Sequence, residues 1–177
     1  MTITIRQEVK ADFNTTENLI KEAFAELDFS DKTEHKLVAR IRKSDAFVPQ
    51  LSLVAIDNAE DIVGHILLSQ IKIKDNTQSE ASLALAPVSV LPDEQNNGIG
   101  KQLIHEALKI AKGLGYQSVI VVGHESYYPK FGFKPASLWG IKAPFDVPDA
   151  SFMAIELEDG ALANISGVVQ YPSVFFE

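Results

Sequence analysis

The stretch Leu85-Ala86-Pro87-Val88-Ser89-Val90-Leu91-Pro92-Asp93-Glu94-Gln95-Asn96-Asn97-Gly98-Ile99-Gly100-Lys101 decides how this chain folds. It reads as an apolar strand, a short polar turn and a helix that opens at two glycines. Pro87 sits inside the strand. Proline has no ladder donor, so the strand is expected to be bulged or unpaired there. From Gly98 to Ala111, the residues Ile99, Leu103, Ile104, Ala107, Leu108, Ile110 and Ala111 make a wide apolar helix face. Gly113 and Gly115 end that helix. Ser118 to Val122 is a β-branched strand. Strand, helix and strand within about 40 residues predict a βαβ crossover and parallel pairing.

Outward from this unit, Leu51 to Ile56 and Ile62 to Ile73 read as a hairpin around the polar turn Asp57 to Asp61. Ile3, Ile5 and Glu8-Val9 form a first strand. Phe13, Leu19, Ile20, Ala23, Phe24 and Leu27 follow at mostly helical spacing. Asp31 with Glu34 resembles an acidic capping box, opening a second helix that buries Leu37, Val38 and Ile41. Downstream, Phe152 to Leu157, the turn Asp159-Gly160 and Ile165 to Tyr171 suggest a closing antiparallel hairpin. The segment 134–150, with Gly140, Pro144 and Pro148, reads as a long loop. The sum is an α/β (α+β) domain spanning 1–177: a mixed, mostly antiparallel sheet of about seven strands with helices on both faces.

Composition bounds the chemistry. The chain has 177 residues, 46% hydrophobic and 23% charged, as in ordinary globular proteins. With 16 Lys and Arg against 24 Asp and Glu, the net charge is −8, which disfavours a nucleic-acid partner. There is no Cys, so disulfides, thiolate nucleophiles and Cys-ligated zinc are excluded. Four scattered histidines lack metal-ligand spacing, so no metal is expected. No apolar run reaches the ~18 residues of a membrane span, and the first residues do not read as a signal peptide. A soluble cytoplasmic protein, monomer or homodimer, is the expectation.

The first turn of a helix offers unpaired N–H groups and a partial positive charge, and glycines let a phosphate approach that backbone. The segment opening at Gly98 is therefore a sensible pyrophosphate site. A Walker A loop needs Gly at Gln95 and Ser or Thr at Gln102; a dinucleotide fingerprint needs Gly or Ala at Leu103. Both fail. On glycines alone, close helix–strand packing explains the pattern equally well.

The surviving pattern, Gln95-x-x-Gly98-x-Gly100, resembles the pyrophosphate loop of the Gcn5-related N-acetyltransferases, the GNAT superfamily. Tyr127-Tyr128-Pro129-Lys130-Phe131-Gly132-Phe133 is similar to that superfamily's Tyr-x-Lys-x-Gly-Phe signature, with Tyr128 at the tyrosine position. The order and spacing of both motifs fit over nearly the whole chain, and His124-Glu125-Ser126-Tyr127-Tyr128 resembles its YhbS-like bacterial branch. The resemblance implies the GNAT fold, acetyl-CoA as co-substrate and a primary amine of a small molecule or protein as acceptor. It implies coenzyme contacts from Val88, Ser89, Val90, Gln95, Asn96, Asn97, Gly98, Ile99, Gly100 and Lys101. Tyr128 is the candidate acid for the leaving thiolate, set against a role as a core aromatic. His124 is the candidate proton relay, set against a hydrogen-bonded turn residue. One departure stands out: only three residues separate Gly123 from Tyr127, and Pro129 limits any helix, so the helix that usually flanks the coenzyme arm should be short or missing.

Other candidates stay open. His65 either lines the acceptor pocket or is a structural histidine; His35 and His105 fall on helix surfaces. Glu125 orients a cationic amine or is simply solvated. Trp139 shapes the acceptor site or anchors its loop. Lys72 and Lys74 read as edge-strand lysines. Phe175 and Phe176 pack on the domain or on a partner subunit. An acidic cleft would favour a cationic amine. A non-catalytic acyl-CoA sensor and a purely structural domain are the alternatives to an enzyme.

Overall fold

The computed structural model describes residues 2–28 and 30–177. Strand β1 (Thr4–Gln7) leads into helices α1 (Phe13–Phe24) and α2 (Glu34–Arg42). Three long strands follow: β2 (Phe47–Ile56), β3 (Ile62–Lys74) and β4 (Ser79–Val90). Helix α3 (Ile99–Gly113) crosses to β5 (Ser118–Val122). The short strands β6 (Lys134–Pro135) and β7 (Ile141–Lys142) precede β8 (Phe152–Glu156) and β9 (Gly167–Gln170). The main sheet order is β1-β2-β3-β4-β5-β8-β6, with β9 joined to β3 and β7. Among the described residues, only β4–β5 and β7–β9 are parallel. The expected mixed sheet is thus present, with nine strands rather than seven; the extra pairings come from short segments without periodicity.

Helix α3 packs on one face. Ile99, Leu103, Ile104, Ala107 and Ala111 are all buried against Leu53, Ile66, Leu68 and Leu85. Gly64 of β3 sets how close it comes: a Cβ there would stand 3.0 Å from Leu103 Cδ1 and 3.1 Å from Ile99 Cγ2. Cutting Leu103 to alanine in such a core costs about 2–5 kcal/mol. Helices α1 and α2 cover part of the other face, where Ile20, Val38 and Ile41 meet Leu67.

Four sequence expectations change. Helix α2 begins at Glu34 behind Thr33, so there is no Asp31–Glu34 box. Instead Asp31 accepts from the Thr33 N–H and hydroxyl, and the Ser30 hydroxyl donates to Glu34. The closing hairpin is not formed: β8 pairs with β5 and β6, while β9 pairs with β3 and β7. The long connection between them carries β9 to the far end of β3, where Gly167 (φ 128) approaches the Lys74 carbonyl too closely for any side chain. Lys72 is not at an edge, because it pairs with Ala81 on one side and Gln170 on the other. The 134–150 loop contains β6, β7 and 3-10 turns.

Candidate active site

The expected irregularity at Pro87 is a β-bulge. Ile66 pairs with Val88 but Leu68 with Leu85, so β4 carries one extra residue opposite β3. Leu85 and Val88, three apart, therefore share the α3 face. Parallel pairing of β4 with β5 stops at Leu83–Val119 and Ala84–Ile120. Beyond it, β4 stays with β3 and β5 stays with β8, so the two strands part. The Leu91 N–H donates to the Val63 carbonyl at 3.0 Å. Antiparallel alternation then turns the Ser89 backbone toward β3 and leaves the backbone groups of Val88 and Val90 facing the gap.

The loop that follows is built around two left-handed residues, Asn96 (φ 68) and Gly98 (φ 78). Gln95 ties it to the strand end: its Nε2 donates to the Val90 carbonyl at 3.1 Å. Gly98 precedes α3 without any side-chain cap. From Asn96 to Lys101 the backbone N–H groups have no acceptor among the described residues. Convergent N–H groups at a helix start form an anion-binding nest. A cleft of about 430 Å³ lies over them. Val88, Val90, Gln95, Asn96, Gly98, Ile99, Gly100 and Lys101, all among the residues singled out from the sequence, line it. Asn97 and Ser89 do not. Ser89 pairs with His65, and its buried hydroxyl lies on the opposite face of the sheet with no partner.

Three further lining residues escaped the sequence reading: Glu94, Tyr127 and Lys130. The Tyr127 hydroxyl lies 3.4 Å from where a Gly100 Cβ would stand, and Lys130 Nζ sits 3.9 Å from the Tyr127 ring centre. Lys130 is part of the quoted signature and Tyr127 adjoins it, so adjacency was the signal available.

Tyr128 stands behind this wall. It is buried, edge-on to Tyr127 and Phe133 at 5.1 and 5.8 Å. Burial, helped by Tyr127, pushes its phenol up to about 12. Its ring lies over Gly123, the residue after β5: a Cβ there would be 2.2 Å from Tyr128 Cε2. Only a 3-10 turn, Tyr128–Phe131, occupies the place of the expected missing helix. His124 is exposed, and its Nδ1 lies 2.9 Å from the Ser126 hydroxyl. Glu125 is exposed.

His65 does not line the cleft. It is fully buried in an ion network on the α1–α2 face. The Ser52 hydroxyl donates to Glu8 at 2.8 Å, so it must accept from His65 Nε2 at 3.1 Å. Arg42 bridges Glu8 at 2.7 Å and Glu17 at 2.8 Å. Burial holds the His65 imidazole down to about 4, so it is neutral near pH 7. His105 is exposed and edge-on to Phe131. Among the described residues, no three His, Asp or Glu side chains converge as a metal site. Among the described residues, no helix is long and apolar enough to cross a membrane. Trp139 packs half-buried on the core, which supports its anchoring role.

The acetyltransferase (GNAT) family model matches residues 14–133, covering α1 through the Tyr128 turn. The chain belongs to this family. Among GNAT relatives, it is 36% identical over 122 residues to the N-acetyltransferase YjhQ of Escherichia coli K12, 68% of this chain and 67% of that one. It is 27% identical over 171 residues to the N-acetyltransferase YhbS of the same strain, 97% of each. A GNAT structure from Brucella melitensis in complex with acetyl-CoA superposes with TM-score 0.79 at 28% identity, covering 98% of both chains. The 1.55 Å structure of YhbS with CoA gives 0.88 over 99% of this chain and 92% of that one. At 24% identity that likeness speaks to the fold. This GNAT chain is accordingly an acyltransferase.

Proposed function

We propose that this protein moves an acetyl group from acetyl-CoA directly to a primary amine, within one catalytic domain spanning the chain. The observation that carries this reading is the junction of the uncapped N–H nest at Asn96–Lys101 with the β4–β5 gap, which ends beside Tyr128. The nest takes the diphosphate, and Lys101 and Lys130 add positive charge. The gap-facing backbone groups of Val88 and Val90 pair with the amides of the pantetheine arm, the Val90 carbonyl also accepting from Gln95 Nε2. The Val88 N–H polarises the thioester carbonyl.

The amine lone pair attacks the carbonyl carbon. The C–S bond breaks and its electrons go to sulfur. Tyr128 gives sulfur its proton, the surplus amine proton leaves through His124 to solvent, and Tyr128 regains a proton from solvent before the next turnover. A phenol held at about 12 stays protonated near neutrality, as an acid must. A thiol is ordinarily near ~8.5, so the transfer to sulfur is uphill and is coupled to C–S cleavage in the same step. Tyr128→Phe should lower kcat about 10²-fold and leave acetyl-CoA affinity unchanged. An unchanged kcat, at a pH where chemistry limits, would refute the acid role. Tight acetyl-CoA binding with no turnover on any amine would favour an acyl-CoA sensor instead.

A further inference from the structure

A second pocket opens on the opposite face of the sheet from α3, at the same parting of β4 and β5. Its floor is Ala84 and Ala86 of β4 with Ile120 and Val122 of β5. Its walls are aromatic. Phe145 stacks on Tyr171 with ring centres 5.9 Å apart and planes 27° apart, and Phe176 meets Tyr171 edge-on at 6.3 Å. The small alanines leave the room that the rings enclose, about 240 Å³. A cavity of ~150 Å³ already admits benzene, so one ring with a short linker fits. Among the described residues, no charged or amide side chain lines it. Its one polar side-chain group is the Tyr171 phenol, which burial pushes up to about 12 and so keeps neutral. Phe145, Val122 and Phe176 stay 42%, 45% and 66% exposed, an unusual grouping of apolar surface for one rim.

We infer that this pocket holds the acceptor, and that the acceptor is a primary amine on a compact apolar body, aromatic or short aliphatic, rather than a polyamine or an amino acid. The inference rests on the acetyl-transfer reading above and names its substrate class. The pocket and the coenzyme cleft are lined by successive stretches of β4, Ala84–Ala86 on one side of the bulge and Val88 and Val90 on the other. An apolar body seated against Phe145 and Tyr171 points its amine through the β4–β5 gap toward the Val88 backbone. A second charge or a carboxylate on the acceptor would lose its hydration there with no partner. The same apolar surroundings favour the neutral, nucleophilic form of the amine over the ammonium. No carboxylate is then needed to draw it in.

The test pairs kinetics with binding on the full chain. With saturating acetyl-CoA, kcat/KM should rise about fourfold per methylene from ethylamine to butylamine. 2-Phenylethylamine should exceed spermidine and lysine by at least tenfold. Phe145→Ala and Phe176→Ala, both at exposed positions, should raise the KM for 2-phenylethylamine about tenfold with kcat and the CoA dissociation constant unchanged. Calorimetry of 2-phenylethylamine on the protein–CoA complex should show the same Phe145 dependence. A flat alkyl series, or a preference for spermidine, overturns the assignment while leaving acetyl transfer standing. Phe145-dependent binding of the amine without thioester consumption keeps the pocket and sinks the transfer reading. Two other results overturn the assignment: the variants change acyl-chain selectivity from acetyl to hexanoyl-CoA but not amine KM, or they turn a dimer into a monomer with amine KM unchanged.

Discussion

Gly123→Ala tests the position of Tyr128 without touching its chemistry. The added Cβ would stand 2.2 Å from Cε2, 2.8 Å from Cδ2 and 3.2 Å from Cζ of the ring. Carbon atoms rest at about 3.5–4.0 Å, so the ring must retreat by more than about 1 Å. It cannot do so freely, since Tyr127 and Phe133 close its other sides. Either the phenol tilts away or the end of β5 shifts, pulling on the Gly123 N–H bond to the Ser151 carbonyl at 2.9 Å. Overpacking of this kind costs about 1–3 kcal/mol. At this chain length that is a fall in Tm of about 2–4 °C per kcal/mol. A misplacement near 1 Å costs up to about 10²-fold in rate. The expected result is a folded enzyme, kcat about 10- to 100-fold lower, and acetyl-CoA affinity within about threefold of wild type, because the nest at Asn96–Lys101 lies elsewhere. The assay is thiol release at saturating acetyl-CoA with the best amine found. Combining the change with Tyr128→Phe should add little to the loss, because both act through one hydroxyl. Wild-type kcat in Gly123→Ala, or fully additive losses in the double variant, would refute the geometric argument.

Other consequences can be checked with simpler measurements. Arg42→Met leaves the Glu8 carboxylate buried without its cation and should cost about 3–5 kcal/mol by urea denaturation, whereas Glu17→Gln, at a half-exposed pair, should cost under ~1 kcal/mol. His65 titrates near ~6.5 when unfolded but at about 4 when folded, so below pH ~6.5 the unfolded chain takes up a proton that the folded one refuses. Stability is therefore full above pH ~6.5 and falls toward pH 4 by about 3 kcal/mol; a pH series on His65→Gln should lose that slope, and an unaltered slope would assign it elsewhere. Gly100→Leu, whose side chain would project toward the Tyr127 hydroxyl, should weaken acetyl-CoA binding at least tenfold by calorimetry while the apo protein keeps its Tm. Gly167→Ala puts a Cβ 2.1 Å from the Lys74 carbonyl oxygen and should lower Tm by several degrees, read by calorimetric melting.

The cleft at the start of α3 was legible in the sequence because it is local. Pro87, Gly98 and Gly100 act through their own backbone, and eight of the ten expected contact residues line the cleft. Ser89 falls outside the cleft for a reason of parity. It lies between Val88 and Val90, and strand alternation sends its side chain to the other face. Gly64 and Gly123 carried no signal of their own, because what forbids a Cβ there is a helix and a ring distant in sequence. The far pocket was illegible for the same reason. Phe145, Tyr171 and Phe176 reach one place only because β9 returns to β3 instead of pairing with β8. Apolar letters near a chain end read as core, and Phe175 does pack there, while its neighbour Phe176 stays exposed.

The charge balance sharpens once carboxylates have addresses. A net −8 sets a mean field, but salt screens exposed charges beyond about 8 Å. A nest of N–H groups acts within hydrogen-bond distance, so an acidic chain and a diphosphate site do not conflict. Several of the acids are occupied elsewhere. Glu8 and Glu17 hold Arg42, Asp12 binds Arg6 through both oxygens at 2.7 and 3.0 Å, and Asp57 and Asp75 cap their turns through backbone N–H groups. Those hydrogen bonds hold the Asp12 and Asp75 carboxyls below their usual range, which ties the acidity to local structure. The far pocket holds none of it. The pointer from composition to a cationic acceptor therefore finds no counterpart at the gap. Selectivity falls to apolar contact, and a hydrophobic pocket separates amines by their size and shape, at about fourfold per methylene, rather than by their charge.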